Sequence, residues 1–150
     1  MTGDASLRAG LLSEACPHGG DVAGIGIDLC EIDRISEALA AHGERFLARL
    51  FLPGEVRHPL GSRRIAEHVA GLFAAKEAAM KALGTGMRGV AFREIAIARE
   101  PGGPPRLALF GRARSRAEEL GVGAAHVTIT HGRRDAAAFV LLLRNRPVTG

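Results

Sequence analysis

The longest regular pattern in the chain runs from about residue 62 to residue 86. Val69, Leu72, Phe73, Met80 and Leu83 recur at helical spacing and define one buried stripe. The residues between them are mostly strong helix formers. Gly84 stands where the helix is expected to stop, because glycine accepts the left-handed backbone of a C-cap. Two shorter helical patterns precede it. Residues 31–41 place Ile32, Ile35 and Leu39 on one face and Arg34 on another. Residues 44–51 turn Phe46, Leu47, Leu50 and Phe51 inward and leave Arg45 and Arg49 on a shared outer face. Leu52-Pro53-Gly54-Glu55 breaks this second helix, and a loop extends through Gly61.

Period-two alternation marks the strands. In residues 22–29, Ile25, Ile27 and Leu29 share one face, while Gly24, Gly26 and Asp28 share the other. Two glycines on one face leave room for a close approach to the backbone. Residues 93–99 and 106–110 flank Glu100-Pro101-Gly102-Gly103-Pro104-Pro105, a strong turn, and read as a hairpin. Residues 126–130 alternate again. Residues 136–143 form a nearly continuous apolar run, as a central strand does. Residues 111–121 predict a short helix with a basic first half and Glu118-Glu119 behind it. That order opposes the helix dipole, so packing must hold the helix.

This order of elements predicts an α+β fold, an antiparallel sheet packed against a long helix. Residues 1–21 mix Gly, Ser, Asp and Pro and read as a flexible N-terminal extension. The folded domain is expected over residues 22–144, with a tail at 145–150. There is no internal repeat and no low-complexity segment.

Composition narrows the function classes. The 150 residues are 47% hydrophobic, with no Trp or Tyr, so the core is aliphatic with Phe. A net charge of +4 favours an anionic partner. The basic residues are scattered in pairs such as Arg63-Arg64 and Arg133-Arg134, with almost no aromatics between them, which argues against a nucleic-acid platform. Two cysteines describe no disulfide framework and fit a reducing cytoplasm. No apolar run reaches the ~20 residues of a membrane span, and residues 1–21 lack signal-peptide order. Cys16-Pro17-His18 lacks partners at metal-site spacing.

The long helix carries the candidate chemistry. Glu77 and Lys81 share a face at i,i+4 spacing, the favoured orientation for a surface ion pair. Alternatively they join Asp28 at the glycine-lined strand. Asp28 itself reads either as a helix cap, with Glu31 three residues on, or as a ligand. Two carboxylates beside a lysine and a Gly84-Thr85-Gly86 turn suit Mg²⁺ and a diphosphate. The glycines follow the helix, so this is not a P-loop. His131, after Thr128-Ile129-Thr130, is a structural histidine or faces the ligand. Lys76 reads equally as packing or as a ligand contact.

Gly24-Ile25-Gly26-Ile27-Asp28-Leu29, Arg34-Ile35, Phe73-Ala74-Ala75-Lys76-Glu77-Ala78 through Lys81-Ala82-Leu83-Gly84-Thr85-Gly86, and His126-Val127-Thr128-Ile129-Thr130-His131 followed by Ala136-Ala137-Ala138 resemble the holo-[acyl-carrier-protein] synthases, the short-chain 4′-phosphopantetheinyl transferases. The resemblance covers about residues 22–143. It implies Mg²⁺-dependent transfer of 4′-phosphopantetheine from coenzyme A to a serine of an apo acyl carrier protein, releasing adenosine 3′,5′-bisphosphate, in fatty acid or polyketide biosynthesis. It implies Asp28 and Glu77 as metal ligands, and Asp28, Glu77 and Lys81 as catalytic residues. Lys76, Lys81, Gly84, Thr85, Pro105 and His131 would contact coenzyme A, and Arg34, Arg45 and Arg49 the acidic carrier protein. It implies a cytoplasmic homotrimer with no nucleic-acid or membrane partner. One position departs from the family pattern: Leu72 stands where the family carries an arginine that holds coenzyme phosphates. That predicts weaker coenzyme binding unless Arg63 or Arg64 substitutes. Two rival readings remain open on the residues alone, another phosphoryl or nucleotidyl transferase and a basic binding module.

Overall fold

The structure is a computed structural model that describes residues 5–148, without the side chains of Met87 and Arg88. Expectations for residues 1–4 and 149–150 lie outside the described residues. The elements in chain order are α1 (Ala5–Ala9), β1 (Gly20–Glu31), α2 (Ile32–His42), α3 (Glu44–Leu50), α4 (Ile65–Leu83), α5 (Gly86–Gly89), a 3₁₀ turn (Phe92–Glu94), β2 (Ile95–Arg99), β3 (Pro105–Leu109), α6 (Gly111–Glu119), β4 (Val122–His131) and β5 (Asp135–Asn145).

β5, built from the apolar run, is the central strand of an antiparallel three-stranded sheet in the order β1-β5-β4. β2 and β3 form the expected antiparallel hairpin. Helix α4 lies across β1 and β5. Its burial is nearly all-round: 13 of its 19 residues are buried, so it forms the middle of the core and not an amphipathic lid. The alanines at 74, 75, 78 and 79, all fully buried, bring the helix axis close to the sheet.

The strand pattern of β1 explains this closeness. Gly24 and Gly26 face α4, and a Cβ on either would overlap the carbonyl oxygens of Ala82 or Ala78. The open face read from the sequence is thus filled by the chain's own helix. Ile25, Ile27 and Leu29 point the other way and are 59%, 64% and 68% exposed. Asp28, in register with Ala138, continues the glycine face. It is not a helix cap: the residue preceding α2 is Glu31, which makes no side-chain cap bond.

The expectation of a flexible extension over residues 1–21 needs correction for residues 5–19. Leu7 is 4% exposed and packs with Ala96 and Ala108 of the hairpin. Leu12 donates its N–H to Leu107 O at 3.0 Å, and Ser13 O accepts from Ala125 N at 2.7 Å. Paired backbone groups and a buried leucine hold the segment, features that its Gly/Ser/Pro composition conceals. In α6, Ala113 and Ala117 are buried and Arg114–Glu118 and Arg116–Glu119 pair along the helix, so packing and local pairs offset the unfavourable charge order.

Candidate active site

Asp28 and Lys81 meet because the glycines of β1 let α4 down onto the strand. Lys81 Nζ lies 3.0 Å from Asp28 Oδ1 and donates to Ile27 O at 2.9 Å. The lysine side chain is 56% exposed and the aspartate 11%. An ammonium has three donors, so one N–H of Lys81 is left for a ligand. Asp28 Oδ2 is buried and makes no hydrogen bond. Glu77, one turn before Lys81, faces the same carboxyl. Burial first, and then the adjoining Asp28, push the Glu77 carboxyl up to about 7, against the opposing charges of Lys81 and Arg34. A carboxyl held up by burial and by its neighbour, beside a second carboxyl with an orphaned buried oxygen, forms an electrostatic gap that a small hard cation fills. Among the described residues there is no group of three or more His, Cys, Asp or Glu placed to hold a metal. Any ion here would take its remaining ligands from water and substrate oxygens.

Gly84 closes α4 as expected. It has φ 71°, and its N–H reaches the Lys81 and Met80 carbonyls. Thr85 is half-buried, its hydroxyl 3.5 Å from Met80 O. Arg116 Nε donates to Leu83 O at 3.0 Å and completes the helix end.

Lys76 is not a ligand contact. Its side chain is fully buried, and Nζ donates to Leu50 O (2.7 Å), Glu55 Oε2 (2.9 Å) and Phe92 O (3.1 Å). All three protons are used inside the protein, and the ammonium sits 4.8 Å from the centre of the Phe51 ring. Burial pulls Lys76 down to about 8 and raises Glu55, each opposed by its partner's charge. The expectation that Lys76 touches the coenzyme is therefore corrected. It ties the loop after α3 to the core. Glu55 extends the tie by accepting from Leu52 N at 2.6 Å and Ile97 N at 2.9 Å.

A second feature was missed in the sequence. A cavity of about 420 Å³ opens beside the N-terminal half of α4, bordered by Arg57, Arg64, Arg99, His58, His68 and His131. Gly71, Leu72, Ile97, Pro105 and Ile129 form its less polar wall, and the carboxylates of Glu55 and Glu67 also border it. None of the three arginines forms an ion pair among the described residues. The Arg57 backbone N–H donates to His68 Nε2 at 3.1 Å, pinning the loop to α4. Burial pulls His68 down to about 4, consistent with an imidazole that accepts at that nitrogen. His131 Nδ1 lies 3.6 Å from Glu67 Oε2. Pro105 and His131 therefore share this cavity, while Asp28, Glu77 and Lys81 form a separate cluster further along the helix. Arg63 does not border the cavity, but Arg64 does. Arg34, Arg45 and Arg49 are exposed on α2 and α3, and Arg34 is near enough to lower the Glu77 carboxyl.

Comparisons with known proteins agree with one another. The family profile of the 4′-phosphopantetheinyl transferase superfamily matches residues 24–139. A holo-[acyl-carrier-protein] synthase of Solidesulfovibrio magneticus is 50% identical over 124 residues, covering 81% of this chain and 98% of that protein. The crystal structure of the Neisseria meningitidis holo-[acyl-carrier-protein] synthase superposes with TM-score 0.72 at 31% identity, over 81% of this chain and 98% of that one. A holo-(acyl-carrier-protein) synthase from Bacillus anthracis, solved in complex with CoA (3′,5′-ADP), matches with TM-score 0.67 at 33% identity, over 85% of this chain and 100% of that one. With its glycine-lined strand, its carboxylate–lysine cluster and these matches over most of its length, the chain belongs to the 4′-phosphopantetheinyl transferase superfamily.

Proposed function

We propose that the protein is a holo-[acyl-carrier-protein] synthase, transferring 4′-phosphopantetheine from coenzyme A to a serine of an apo acyl carrier protein. The observation that carries this reading is the Asp28–Glu77–Lys81 cluster, formed where β1 meets α4, together with a basic cavity that borders the same helix. Leu72 and Glu77 are five residues apart, roughly 7 Å along the helix, a span suited to a ligand with a diphosphate at one end and a nucleotide at the other. Arg57, Arg64 and Arg99 offer guanidinium groups to a phosphomonoester, and the wall formed by Leu72, Ile97 and Pro105 suits a base.

Asp28 and Glu77 would hold Mg²⁺, since Asp28 Oδ2 is buried without a partner and the Glu77 carboxyl is held high by its neighbour. Bound Mg²⁺ would neutralise diphosphate charge as it develops on the departing nucleotide. Lys81, held by Ile27 O and Asp28 Oδ1, has one N–H left over that would donate to the same oxygens and stabilise the leaving phosphate. The serine oxygen forms a bond to the pantetheine-bearing phosphorus, the P–O bond to adenosine 3′,5′-bisphosphate breaks with its electron pair leaving on that phosphate, and the serine proton passes to a carboxylate or water of the cluster. Arg34, Arg45 and Arg49 present positive charge on α2 and α3 to an acidic carrier protein.

A homotrimer fits the exposed outer face of the sheet, where Ile25, Ile27, Leu29 and Phe139 form an apolar patch. Two free cysteines agree with a cytoplasmic setting, and among the described residues no helix is long and apolar enough to cross a membrane. A role in fatty acid or polyketide biosynthesis follows from the carrier protein it would serve. Mass spectrometry of several apo carrier proteins incubated with coenzyme A and Mg²⁺ tests the reading. Addition of phosphopantetheine to one of them is expected, and no addition to any would contradict it. Light scattering at micromolar concentration tests the trimer, which a monomer would rule out.

A further inference from the structure

Residues 5–14 connect the two sheets. β3 and β4 are not paired with each other in the described structure. The chain between α1 and β1 supplies backbone bonds to both. Leu12 N donates to Leu107 O at 3.0 Å and Leu109 N to Gly10 O at 2.8 Å, on the β3 side. Ala125 N donates to Ser13 O at 2.7 Å, on the β4 side. Leu11 bridges Ala108 in antiparallel fashion. Side chains reinforce the seam. Arg106 Nη2 donates to Leu12 O at 3.0 Å and Arg114 Nη1 to Ala9 O at 3.1 Å. Leu7 fills a small core of its own with Ala96 and Ala108, with Leu11, Ala98 and Phe110 packed around it.

The hairpin held in this way has two faces. Ala96, Ala98 and Ala108 meet the N-terminal segment, while Ile97, Arg99 and Pro105 line the basic cavity. The segment also forms ion pairs around the hairpin. Arg8 pairs with Glu100 at 2.8 Å, and Arg106 lies 3.5 Å from Glu14. Arg99 lines the cavity and forms no ion pair among the described residues.

We propose that residues 5–14 are a positioning strap that docks the β2–β3 hairpin as the nucleotide wall of the cavity and so sets affinity for the nucleotide end of coenzyme A. Leu7 and Leu12 act through Arg99 and Pro105 and touch no substrate themselves. The proposal rests on the transferase reading given above. If the hairpin were docked only a tenth of the time, the apparent affinity for the nucleotide would fall about tenfold. The carboxylate cluster on β1 and α4 and the arginines on α2 and α3 lie outside the seam and would be unaffected.

The test uses full-length Leu7→Ala and Leu12→Pro, which weaken the strap by different means. Three readouts are compared with wild type: hydrogen exchange at the Leu109 amide against amides of β1 and β5, steady-state kinetics, and calorimetric binding of adenosine 3′,5′-bisphosphate. The expected result is faster exchange at Leu109 with β1 and β5 unchanged. The KM for coenzyme A and the Kd for the bisphosphate both rise, while kcat and the KM for the carrier protein stay within twofold, roughly. Faster exchange at Leu109 with unchanged coenzyme affinity would overturn the proposal. So would unchanged exchange in both variants, or faster exchange throughout the sheet with kcat falling alongside. A wild-type protein that neither transfers phosphopantetheine nor binds the bisphosphate would instead overturn the transferase reading, an outcome read before any variant is made.

Discussion

Gly26 of β1 lies directly beneath Ala78 of α4, so close that a Cβ on the glycine would overlap the alanine's carbonyl oxygen. This contact sets the depth of the helix on the sheet. Two residues further along β1, Asp28 meets Lys81 at 3.0 Å. Gly26→Ala is expected to destabilise the fold toward the upper end of about 1–3 kcal/mol, the usual cost of overpacking. It should also lower kcat, because the Asp28–Lys81 separation must widen. Urea unfolding and steady-state kinetics check both effects. A variant of native stability would show that the helix can shift without cost.

The buried Lys76–Glu55 pair has a different signature. Lys76→Met leaves Glu55 buried without its cation, which costs about 3–5 kcal/mol. Pairing the change with Glu55→Gln should recover a large part of that loss, because no buried charge is then stranded. Below the melting temperature the KM for coenzyme A should stay near the wild-type value in Lys76→Met. A selective rise in that KM would return Lys76 to the coenzyme site.

Much of this arrangement was legible in the sequence, and the limits have physical reasons. The periodicity of residues 69–83 and the glycine at 84 define the long helix and its end. The alternation of residues 22–29 separates the faces of β1 correctly. Alternation alone does not reveal that the glycine face would be the one packed on the helix and the isoleucine face the exposed one. That outcome depends on a helix rich in alanine approaching closer than any side chain allows. Lys76 was ambiguous because a long cationic side chain is usually exposed. Its partner Glu55 lies 21 residues away in a Pro-Gly loop, where nothing local marks it. The docked N-terminal segment was missed because its bonds are made by backbone atoms. The basic cavity draws its arginines from a loop, a helix start and a strand end, a convergence no linear spacing encodes.

Leu72 is 5% exposed on the cavity wall, with Arg64 on the same rim. Arg64→Ala should raise the KM for coenzyme A about tenfold, in keeping with loss of one charge-assisted hydrogen bond. Leu72→Arg in that background should recover part of the loss. No effect of Arg64→Ala, followed by a large gain from Leu72→Arg, would mean that the cavity lacks a phosphate-binding cation in the native protein.

The Glu77 carboxyl, held up to about 7 by burial and then by Asp28, predicts a pH-dependent response to metal. A raised carboxyl contributes stability that is fully present below its ordinary value of 4.5 and lost as pH rises through about 7. Mg²⁺ competes with that proton, so it should stabilise the protein more at pH 8 than at pH 6. Thermal melts with and without Mg²⁺ at the two pH values give the comparison. An equal shift at both would place the ion elsewhere.

Asp28 and Glu77 are proposed to hold the ion that makes phosphopantetheine transfer possible. The test is the initial rate of carrier-protein modification, followed by mass spectrometry, for wild type with Mg²⁺, wild type with excess chelator, and folded Glu77→Ala with Mg²⁺. Transfer is expected in the first sample and a loss of at least about 100-fold in the other two, the scale on which positioned charge stabilisation acts. Full activity of Glu77→Ala, or transfer undiminished by chelator, would contradict that assignment.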